Sequence, residues 1–499
     1  MNNINYISTR GNAEKVTSAQ AIKQGLAGDG GLFMPEIIPQ LCGDDFDILK
    51  KSSYPERAAY IMAKFLTDYT YDELLTDCKE SYSQDRFPGG AAPLKEIDDL
   101  RLLELWHGPT CAFKDMALQV MPRLLSRALT KTNENKNAFI LVATSGDTGK
   151  AALEGYKDVD KIKIMVFYPV DGVSKVQKLQ MATQDGNNVS VCAIKGNFDD
   201  AQNGVKKIFS NSETAKKLND NGYFFSSANS INWGRLVPQI VYYISSYCDM
   251  VNNNDIKMGD TVNVCVPTGN FGNIFAAYIA KMMGLPVNRF ICASNCNNIL
   301  TDFISTGVYD RNREFHTTMS PSMDILISSN LERLLYVMAG QKKTAEYMHQ
   351  LNTNGCYSVD DCLKEKIKSV FSGYFCDEKD TAITIKETFD KYNYLIDPHT
   401  AVALKCANQY INETGDSRKI IVASTASPYK FASNVYKSLT GKICENEFDS
   451  LKNTNKLSNS PIPKPLAELE SKNVRFNTVI EPENMTDEIF KVLGISNRS

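Results

Sequence analysis

The chain has 499 residues, of which 43% are hydrophobic and 23% charged, and this length predicts two or three globular domains with large cores. Its net charge of -3 at neutral pH argues against a nucleic-acid-binding surface, and no run of about 18 apolar residues predicts a membrane span. The polar opening MNNINYISTRGN lacks the apolar core of a signal peptide.

The thirteen cysteines and four histidines are scattered along the chain rather than arranged as metal ligands. No C-x-x-C pattern occurs, and the nearest cysteine pairs, Cys292 with Cys296 and Cys356 with Cys362, have no histidine-rich tract beside them. This spacing argues against a zinc site and predicts reduced thiols. We therefore expect a cytoplasmic protein without a bound metal.

Residues 1–95 predict an opening domain. A glycine-rich turn at 27–36 precedes two helical patterns, YPERAAYIMAKFLTDY and YDELLTDCKESY. The segment 87–97, FPGGAAPLKEI, is dense in glycine and proline and predicts a joint between domains.

From residue 96 to about 440, short apolar segments alternate with helical patterns. The segments RLLELWH, NAFILVA, IKIMVFYP, NVSVCAIKG, DTVNVCVP, NRFICASN and KIIVAS predict buried strands. Such alternation is typical of a parallel α/β sheet. Within this region residues 300–395 are mostly helical and polar and predict an insertion, while residues 441–499 predict a small C-terminal extension.

Three predicted strand–loop–helix junctions combine glycines with hydroxyl and amide side chains: VATSGDTGKAA, VPTGNFGNI and ASTASPYKF. In parallel α/β sheets such loops lie at the carboxyl edge, and the N–H groups of the following helix favour an anion. Together they predict a small ligand with at least one phosphate. GDTGK is not a nucleotide P-loop, because Thr144 stands where its first glycine belongs, and GNFGN lacks the spacing of a dinucleotide fingerprint.

Lys114 lies in LWHGPTCAFKDMALQV, between Phe113 and a helical pattern. Two interpretations are open for this lysine: a structural ion pair with Asp115, or a reactive amine whose pKa is lowered by burial. Phosphate-binding loops around a lysine in an apolar setting favour the second, with pyridoxal 5'-phosphate as the cofactor. That cofactor needs an amine, a phosphate cradle and a partner for its pyridine nitrogen.

Five motifs, in this order along the chain, resemble the threonine synthase family: HGPTCAFKD, TSGDTG, SSANSINWGR, GNFGN and STASP. The opening YISTRGNAEKVTSAQAIKQGLAGDGGLFMPE resembles the N-terminal domain of the longer microbial and fungal form, and the likeness runs from about residue 4 to about residue 440. The resemblance implies a tryptophan-synthase-β-like α/β enzyme, fold type II among pyridoxal-phosphate enzymes. It would have two parallel-sheet lobes, an N-terminal domain and a helical insertion.

The resemblance also implies the site residues. Lys114 would carry the cofactor as a Schiff base and later move protons, and the hydroxyl of Thr425 would face the pyridine nitrogen. The cofactor phosphate would lie in a cradle made by Gly269, Asn270, Phe271, Gly272 and Asn273. The substrate carboxylate would meet Thr144 and Ser145, and the substrate phosphate would meet Thr148, Asn229, Ser230 and Arg235.

The implied reaction is that of a carbon–oxygen lyase acting on a phosphate ester: O-phospho-L-homoserine and water become L-threonine and phosphate. The alternatives are a phospholyase that releases a keto acid from the same or a similar amino-alkyl phosphate, and a homologue that binds without catalysis. One departure from the family is Ser427, which replaces the histidine of STAHP and bears on specificity more than on the cofactor. The sequence leaves a monomer and a homodimer both open.

Structural roles also remain open for four residues near the motifs. An alternative for Arg235 is a position on the exposed surface of its helix. An alternative for Asp147 is a role as a helix cap only. His107 has a packing role as its alternative, and His399 is expected at the start of a helix.

Overall fold

The computed structural model describes residues 3–144, 146–170 and 173–496. In these ranges the β-strands are β1 (Tyr6–Ser8), β2 (Phe33–Pro35), β3 (Leu94–Ile97), β4 (Leu100–Glu104), β5 (Asn137–Ala143), β6 (Ile162–Pro169), β7 (Val189–Ile194), β8 (Tyr223–Ser226), β9 (Val262–Pro267), β10 (Val287–Ser294), β11 (Val308–Asp310), β12 (Cys356–Ser358), β13 (Phe371–Phe375), β14 (Ile420–Ser424) and β15 (Val479–Ile480).

The α-helices of the same ranges are α1 (Ser18–Gln24), α2 (Gly43–Lys51), α3 (Tyr54–Phe65), α4 (Tyr71–Ser81), α5 (Asp115–Leu118), α6 (Met121–Lys131), α7 (Asp147–Tyr156), α8 (Lys175–Ala182), α9 (Phe198–Ser210), α10 (Ser212–Asp220), α11 (Trp233–Asn252), α12 (Gly272–Met282), α13 (Ile299–Thr306), α14 (Leu331–Ala339), α15 (Gln341–Asn354), α16 (Asp361–Lys368), α17 (Glu378–Tyr392), α18 (Pro398–Thr414), α19 (Ala432–Thr440), α20 (Glu447–Ser458), α21 (Lys464–Ala467) and α22 (Met485–Leu493). Short 3₁₀ helices occupy Pro321–Met323, Pro428–Phe431, Leu469–Ser471 and Pro482–Asn484.

Two sheets form the two lobes of the molecule. The first has six strands in the order β13-β10-β9-β14-β4-β3, and all neighbours are parallel except β3 and β4. The second has five strands in the order β15-β7-β6-β5-β8, all parallel. The predicted two-lobed α/β fold is therefore confirmed. In both sheets the central strands are almost entirely buried and apolar, as expected where helices cover both faces.

The N-terminal residues pack closely on the two lobes. Helix α4 begins with a capping box: the Thr70 hydroxyl accepts from the Glu73 N–H, and the Glu73 carboxylate accepts from the Thr70 N–H. The ring of Tyr6 packs edge-on against Trp233 of α11 at 5.5 Å. Arg10 donates to the carboxylate of Glu332 on α14 through two nitrogens, at 2.9 and 2.8 Å, so the opening segment is tied to the region predicted as an insertion.

Two segments, predicted as an insertion and a C-terminal extension, contribute strands to the two large sheets. The region 300–395 supplies β13, which forms the edge of the six-stranded sheet beside β10. The C-terminal extension supplies β15, which pairs with β7, and α22, whose apolar face packs into the core of the second lobe. Both strands are short, and strand pairing depends on distant partners rather than on local pattern, so periodicity does not reveal it.

No helix within the described ranges is long and apolar enough to cross a membrane. The same ranges hold no group of three or more histidine, cysteine or acidic side chains arranged to bind a metal ion.

Candidate active site

Lys114 lies where two strand-end loops meet. The loop after β4 leads to α5, and its backbone is held by the loop after β14: the Leu105 N–H donates to the Ser424 carbonyl at 2.9 Å and the Phe113 N–H to the Thr425 carbonyl at 2.8 Å. Lys114 itself is only 9% exposed, and its ammonium nitrogen lies 5.1 Å from the centre of the Phe113 ring. The lysine is therefore presented at the carboxyl edge of the six-stranded sheet.

Asp115 is not the partner of Lys114, so that interpretation of the sequence is wrong. Its buried carboxylate instead accepts from the backbone N–H and the hydroxyl of Thr110, both at 2.8 Å. Burial raises the pKa of Asp115 to about 6, while the two Thr110 hydrogen bonds oppose that shift. A Cβ atom at Gly108 would lie 2.5 Å from an Asp115 carboxylate oxygen, so this turn requires glycine.

The carboxylate nearest to Lys114 is Asp147, the first residue of α7. One of its oxygens accepts from Lys430 Nζ at 2.8 Å and from the Gln177 amide at 2.9 Å, and the other lies 3.8 Å from Lys114 Nζ. Burial alone would raise the pKa of Asp147, but the ammonium groups of Lys430 and Lys114 hold it well below its usual range. The side chain does not cap α7, so a capping role alone is wrong for Asp147.

Burial lowers the pKa of Lys114 to about 8; Asp147 opposes this shift, while Lys430 and Arg235 add to it. At pH 7 roughly a tenth of such an amine is neutral, against less than about a thousandth for an ordinary lysine. The surroundings of Lys114 thus favour an amine that acts as a nucleophile and a base near neutral pH.

The region predicted as an insertion supplies a site residue that the sequence did not indicate. The Ser322 hydroxyl accepts from Lys114 Nζ at 3.3 Å and lies 3.5 Å from the Asp147 carboxylate. The Ser322 N–H donates to His399 Nε2 at 3.1 Å, and His399 Nδ1 lies 2.7 Å from Asp397. His399 is the second residue of α18, as predicted near a helix start, and it positions the backbone that carries Ser322.

The GNFGN loop is held by another part of the same region, residues 328–330. The Ser328 hydroxyl donates to the Gly269 carbonyl at 2.7 Å, and both the backbone and side-chain N–H groups of Asn330 donate to the Asn270 carbonyl, at 3.0 and 2.9 Å. A Cβ atom at Gly269 would lie 2.9 Å from the Ser322 carbonyl, so glycine permits the close approach of these segments. Asn270 is exposed, whereas Phe271, Gly272 and Asn273 are buried.

Asn273 carries an unpaired donor. Its amide oxygen accepts from the hydroxyls of Tyr242 and Tyr243, at 2.7 and 2.5 Å, and these bonds orient the amide group. Its amide nitrogen is buried and has no hydrogen-bond partner among the residues that the structure describes. A buried N–H group without a partner is costly, so this nitrogen is suited to an acceptor brought by a ligand.

Arg235 is buried, so the surface alternative for this residue is wrong. Its guanidinium donates to the Ala228 carbonyl at 2.7 Å, its Nε has no partner, and it forms no salt bridge with any carboxylate in the described ranges. Burial lowers the pKa of Arg235 to about 10. A buried guanidinium without a counter-charge is unfavourable, and its planar fork matches an oxyanion such as phosphate.

The remaining predicted substrate residues are placed as follows. The Thr144 hydroxyl accepts from the N–H groups of Gly146 and Gly149, both at 3.0 Å, and so orders the loop before α7. Thr148 lies in the first turn of α7. Asn229 is exposed, and Ser230 lies 3.4 Å from Ser329, whose hydroxyl donates to the Asn270 side chain at 3.2 Å. Ser145 lies outside the described residues.

The loop after β14 places Thr425 and Ser427 differently. Thr425 is 5% exposed, and its hydroxyl has no hydrogen-bond partner within the described part of the chain. Ser427 is fully buried, and its hydroxyl accepts from the Tyr429 N–H at the start of the 3₁₀ helix. The prediction that Ser427 bears on specificity stays untested.

His107 lies apart from Lys114. The predicted strand RLLELWH ends at Glu104, so Trp106 and His107 belong to the following loop. His107 stacks on Trp106 at 4.2 Å, and its Nε2 lies 2.7 Å from the Glu104 carboxylate. These contacts favour the packing role for His107.

Two non-glycine residues of the site take left-handed backbone conformations. Cys111 has a φ of 60° and Phe271 a φ of 61°. Cys111 precedes Lys114 by three positions and Phe271 precedes α12 directly. Such conformations are uncommon outside glycine, asparagine and aspartate, and they concentrate at binding and catalytic sites.

Three protein-family models match parts of the chain. They are "Threonine synthase N terminus" over residues 5–82, "Pyridoxal-phosphate dependent enzyme" over residues 98–425 and "Threonine synthase, C-terminal" over residues 400–489.

Individual proteins are similar over most of this chain. Threonine synthase-like 1 of Homo sapiens is 40% identical over 87% of the chain, which spans 60% of the length of that relative. Threonine synthase of Pseudomonas aeruginosa is 38% identical over 88% of this chain and 91% of its own. The crystal structure of threonine synthase from Brucella melitensis, described as bound to pyridoxal phosphate, is 35% identical with a TM-score of 0.87, over 99% of this chain and 100% of its own.

Proposed function

The chain belongs to the threonine synthase family of pyridoxal-phosphate-dependent enzymes, and we propose that it converts O-phospho-L-homoserine and water into L-threonine and phosphate. The observation that carries this proposal is the buried guanidinium of Arg235, which has no carboxylate partner among the described residues and whose charge adds to the lowering of the pKa of Lys114 to about 8. An amine with a lowered pKa, together with a buried arginine that lacks a carboxylate partner in the described ranges, suits an amino-acid substrate that carries a phosphate.

The residues present fit pyridoxal phosphate. Lys114 is the buried amine that would hold it, and Asn273 offers a buried, unpaired amide N–H to its phosphate. Helix α12 is 11 residues long and begins at Gly272. The positive end of its dipole would favour the cofactor phosphate at this position. The Thr425 hydroxyl, which has no partner in the described part of the chain, would face the pyridine nitrogen. When bound, the cofactor supplies an electron sink that stabilises carbanions next to the amino group.

Lys114 would move protons during the reaction. Its amine takes a proton from a substrate carbon, and the Asp147 carboxylate at 3.8 Å then stabilises the ammonium group. The Ser322 hydroxyl, 3.3 Å from the same nitrogen, keeps it oriented between transfers. A pKa near the working pH suits a group that must both accept and return a proton.

The segments 320–324 and 328–330 would exclude stray water from the reacting atoms. They cover Lys114 and the GNFGN loop: the Ser322 hydroxyl accepts from Lys114, and Ser328 and Asn330 donate to carbonyls of the loop. Water must enter once as a reactant, so we expect these segments to move between an open and a closed arrangement. Arg333 joins this cover to the N-terminal domain, because it donates to the Phe33 carbonyl and to the Asn330 side chain.

All thirteen cysteines are free thiols in the structure, which supports the cytoplasm as the location of the enzyme.

The direct test mixes the purified holoenzyme with O-phospho-L-homoserine and measures phosphate, threonine and 2-oxobutyrate together. Equal amounts of phosphate and threonine are expected. Phosphate with 2-oxobutyrate would make the protein a phospholyase, and a protein with no visible cofactor band and no phosphate release would overturn both.

Asn273→Asp is expected to weaken cofactor binding by about a hundredfold, because a carboxylate replaces the N–H donor while keeping the acceptor for both tyrosines. Titration of the cofactor-free protein with pyridoxal phosphate, followed by absorbance, measures the Kd. Asn352→Asp, on the exposed face of α15, makes the same change in net charge and should leave the Kd unaltered. An unaltered Kd in Asn273→Asp would remove Asn273 from the phosphate site.

A further inference from the structure

Lys430 is a second buried lysine at the site, and no predicted role accounts for it. It lies in the 3₁₀ helix Pro428–Phe431 and is 1% exposed. Its ammonium group has two partners, the Asp147 carboxylate at 2.8 Å and the Thr110 carbonyl at 2.9 Å. Both partners belong to segments that position Lys114: the start of α7 and the loop that leads to α5.

The two oxygens of Asp147 are used unequally. Oδ1 accepts from Lys430 at 2.8 Å and from Gln177 at 2.9 Å, whereas Oδ2 has only longer contacts, 3.5 Å to Ser322 and 3.8 Å to Lys114. The close ion pair in this cluster is therefore Asp147 with Lys430. The Lys114 nitrogen lies beyond hydrogen-bond distance of the carboxylate.

Among the described residues, the two ammonium groups within 4 Å of the Asp147 carboxylate are those of Lys430 and Lys114, so without Lys430 the carboxylate would face Lys114 alone. Charges attract strongly in a poorly solvated site, so the carboxylate would hold Lys114 as an ammonium ion. The other groups near Lys114 do not replace Lys430, because each has its own partners. Asp115 accepts from Thr110, Arg235 donates to the Ala228 carbonyl, and His399 contacts Asp397 and the Ser322 backbone.

We infer that Lys430 is a positioning residue for the reaction: by neutralising Asp147 it keeps the nitrogen of Lys114 available for proton transfer. This inference rests on the proposed function, because it assumes that Lys114 carries the cofactor. It assigns Lys430 no contact with the substrate. It also explains why a site that needs a neutral amine contains a buried carboxylate beside that amine.

The test is a pH titration of the visible absorbance of the holoenzyme, which reports the protonation of the Lys114 nitrogen when it holds the cofactor. Lys430→Met and Lys430→Gln remove the positive charge, and the glutamine keeps a hydrogen-bond donor. Asp147→Asn removes the negative charge with little change in shape. Lys430→Arg retains the positive charge, and Lys150→Met removes another buried lysine, which pairs with Glu154 on α7.

Removal of the Lys430 charge and removal of the Asp147 charge are expected to shift the midpoint of the pH titration in opposite directions. Both neutral variants of Lys430 should raise the midpoint by about one to two pH units, and Asp147→Asn should lower it by a similar amount. Lys430→Arg and Lys150→Met should keep the wild-type midpoint, and Lys430→Met combined with Asp147→Asn should fall between the single variants. Midpoints that do not move, or that move in the same direction in all variants, would overturn the inference. A wild-type protein without a visible band would instead count against the proposed function.

Discussion

Replacing Lys114 with alanine is expected to remove the visible cofactor band and to lower turnover by at least about ten-thousandfold, because the variant loses both the covalent anchor and the proton carrier. The fold should persist. The side chain of Lys114 is 11% exposed, and its nearest carboxylate oxygen among the described residues lies 3.8 Å away, so its removal takes away a costly buried amine rather than a strong stabilising contact. Absorbance spectra, product assays and thermal unfolding of the variant measure the three effects.

Lys150→Ala is the matched control for this variant. Lys150 is 8% exposed, close to the 9% of Lys114, but it forms an ion pair with Glu154 of the same helix, α7. This control should keep the visible band while losing some stability. A Lys114→Ala protein that retained the wild-type spectrum would refute the assignment of Lys114 as the cofactor lysine.

Replacing Arg235 with methionine is expected to raise KM for the phosphorylated substrate by about a hundredfold, which corresponds to about 3 kcal/mol of lost binding. The same change should not destabilise the ligand-free protein, because it removes a buried charge that has no counter-ion. Loss of substrate affinity without loss of stability is the pattern expected of a residue kept for function. Steady-state kinetics and thermal unfolding measure the two quantities.

Two further variants decide what kind of contact Arg235 makes. Arg235→Lys should recover only part of the affinity, since an ammonium group cannot form two parallel hydrogen bonds to one phosphate. Arg57→Met removes another buried arginine, one that is paired with Asp249 at 2.6 Å, so it should reduce stability and leave KM alone. A KM in Arg235→Met within threefold of wild type would show that the substrate phosphate binds elsewhere.

Sequence reasoning found the loops of this site because their composition has a local physical cause. Glycines, hydroxyls and amides at strand ends before helices indicate anion binding wherever they occur. The motif order also identified the family and, with it, predicted Lys114 as the reactive amine. Arg235 was placed at the substrate phosphate from the same motifs, although the sequence did not exclude a surface position.

The sequence did not reveal the groups that set the chemistry of Lys114. Ser322 is separated from Lys114 by 208 positions, and Lys430 from Thr110 by 320. Neither residue follows a local pattern that distinguishes it from an ordinary serine or lysine. The alternative interpretation, an ion pair of Lys114 with Asp115, was wrong, because the turn at Gly108 lets Thr110 bind that carboxylate.

The amino-acid sequence by itself therefore determined the alternation of strands and helices and predicted the glycine- and hydroxyl-rich loops and the lysine of the candidate site, since each depends on residues near one another along the chain. The tertiary structure alone decided which charges face Lys114, that Arg235 is buried without a carboxylate partner among the described residues, and that residues 300–395 contribute to both the sheet and the candidate site. Desolvation and Coulomb interactions depend on distance in space, and the chain brings together residues whose separation along the sequence carries no record of that distance.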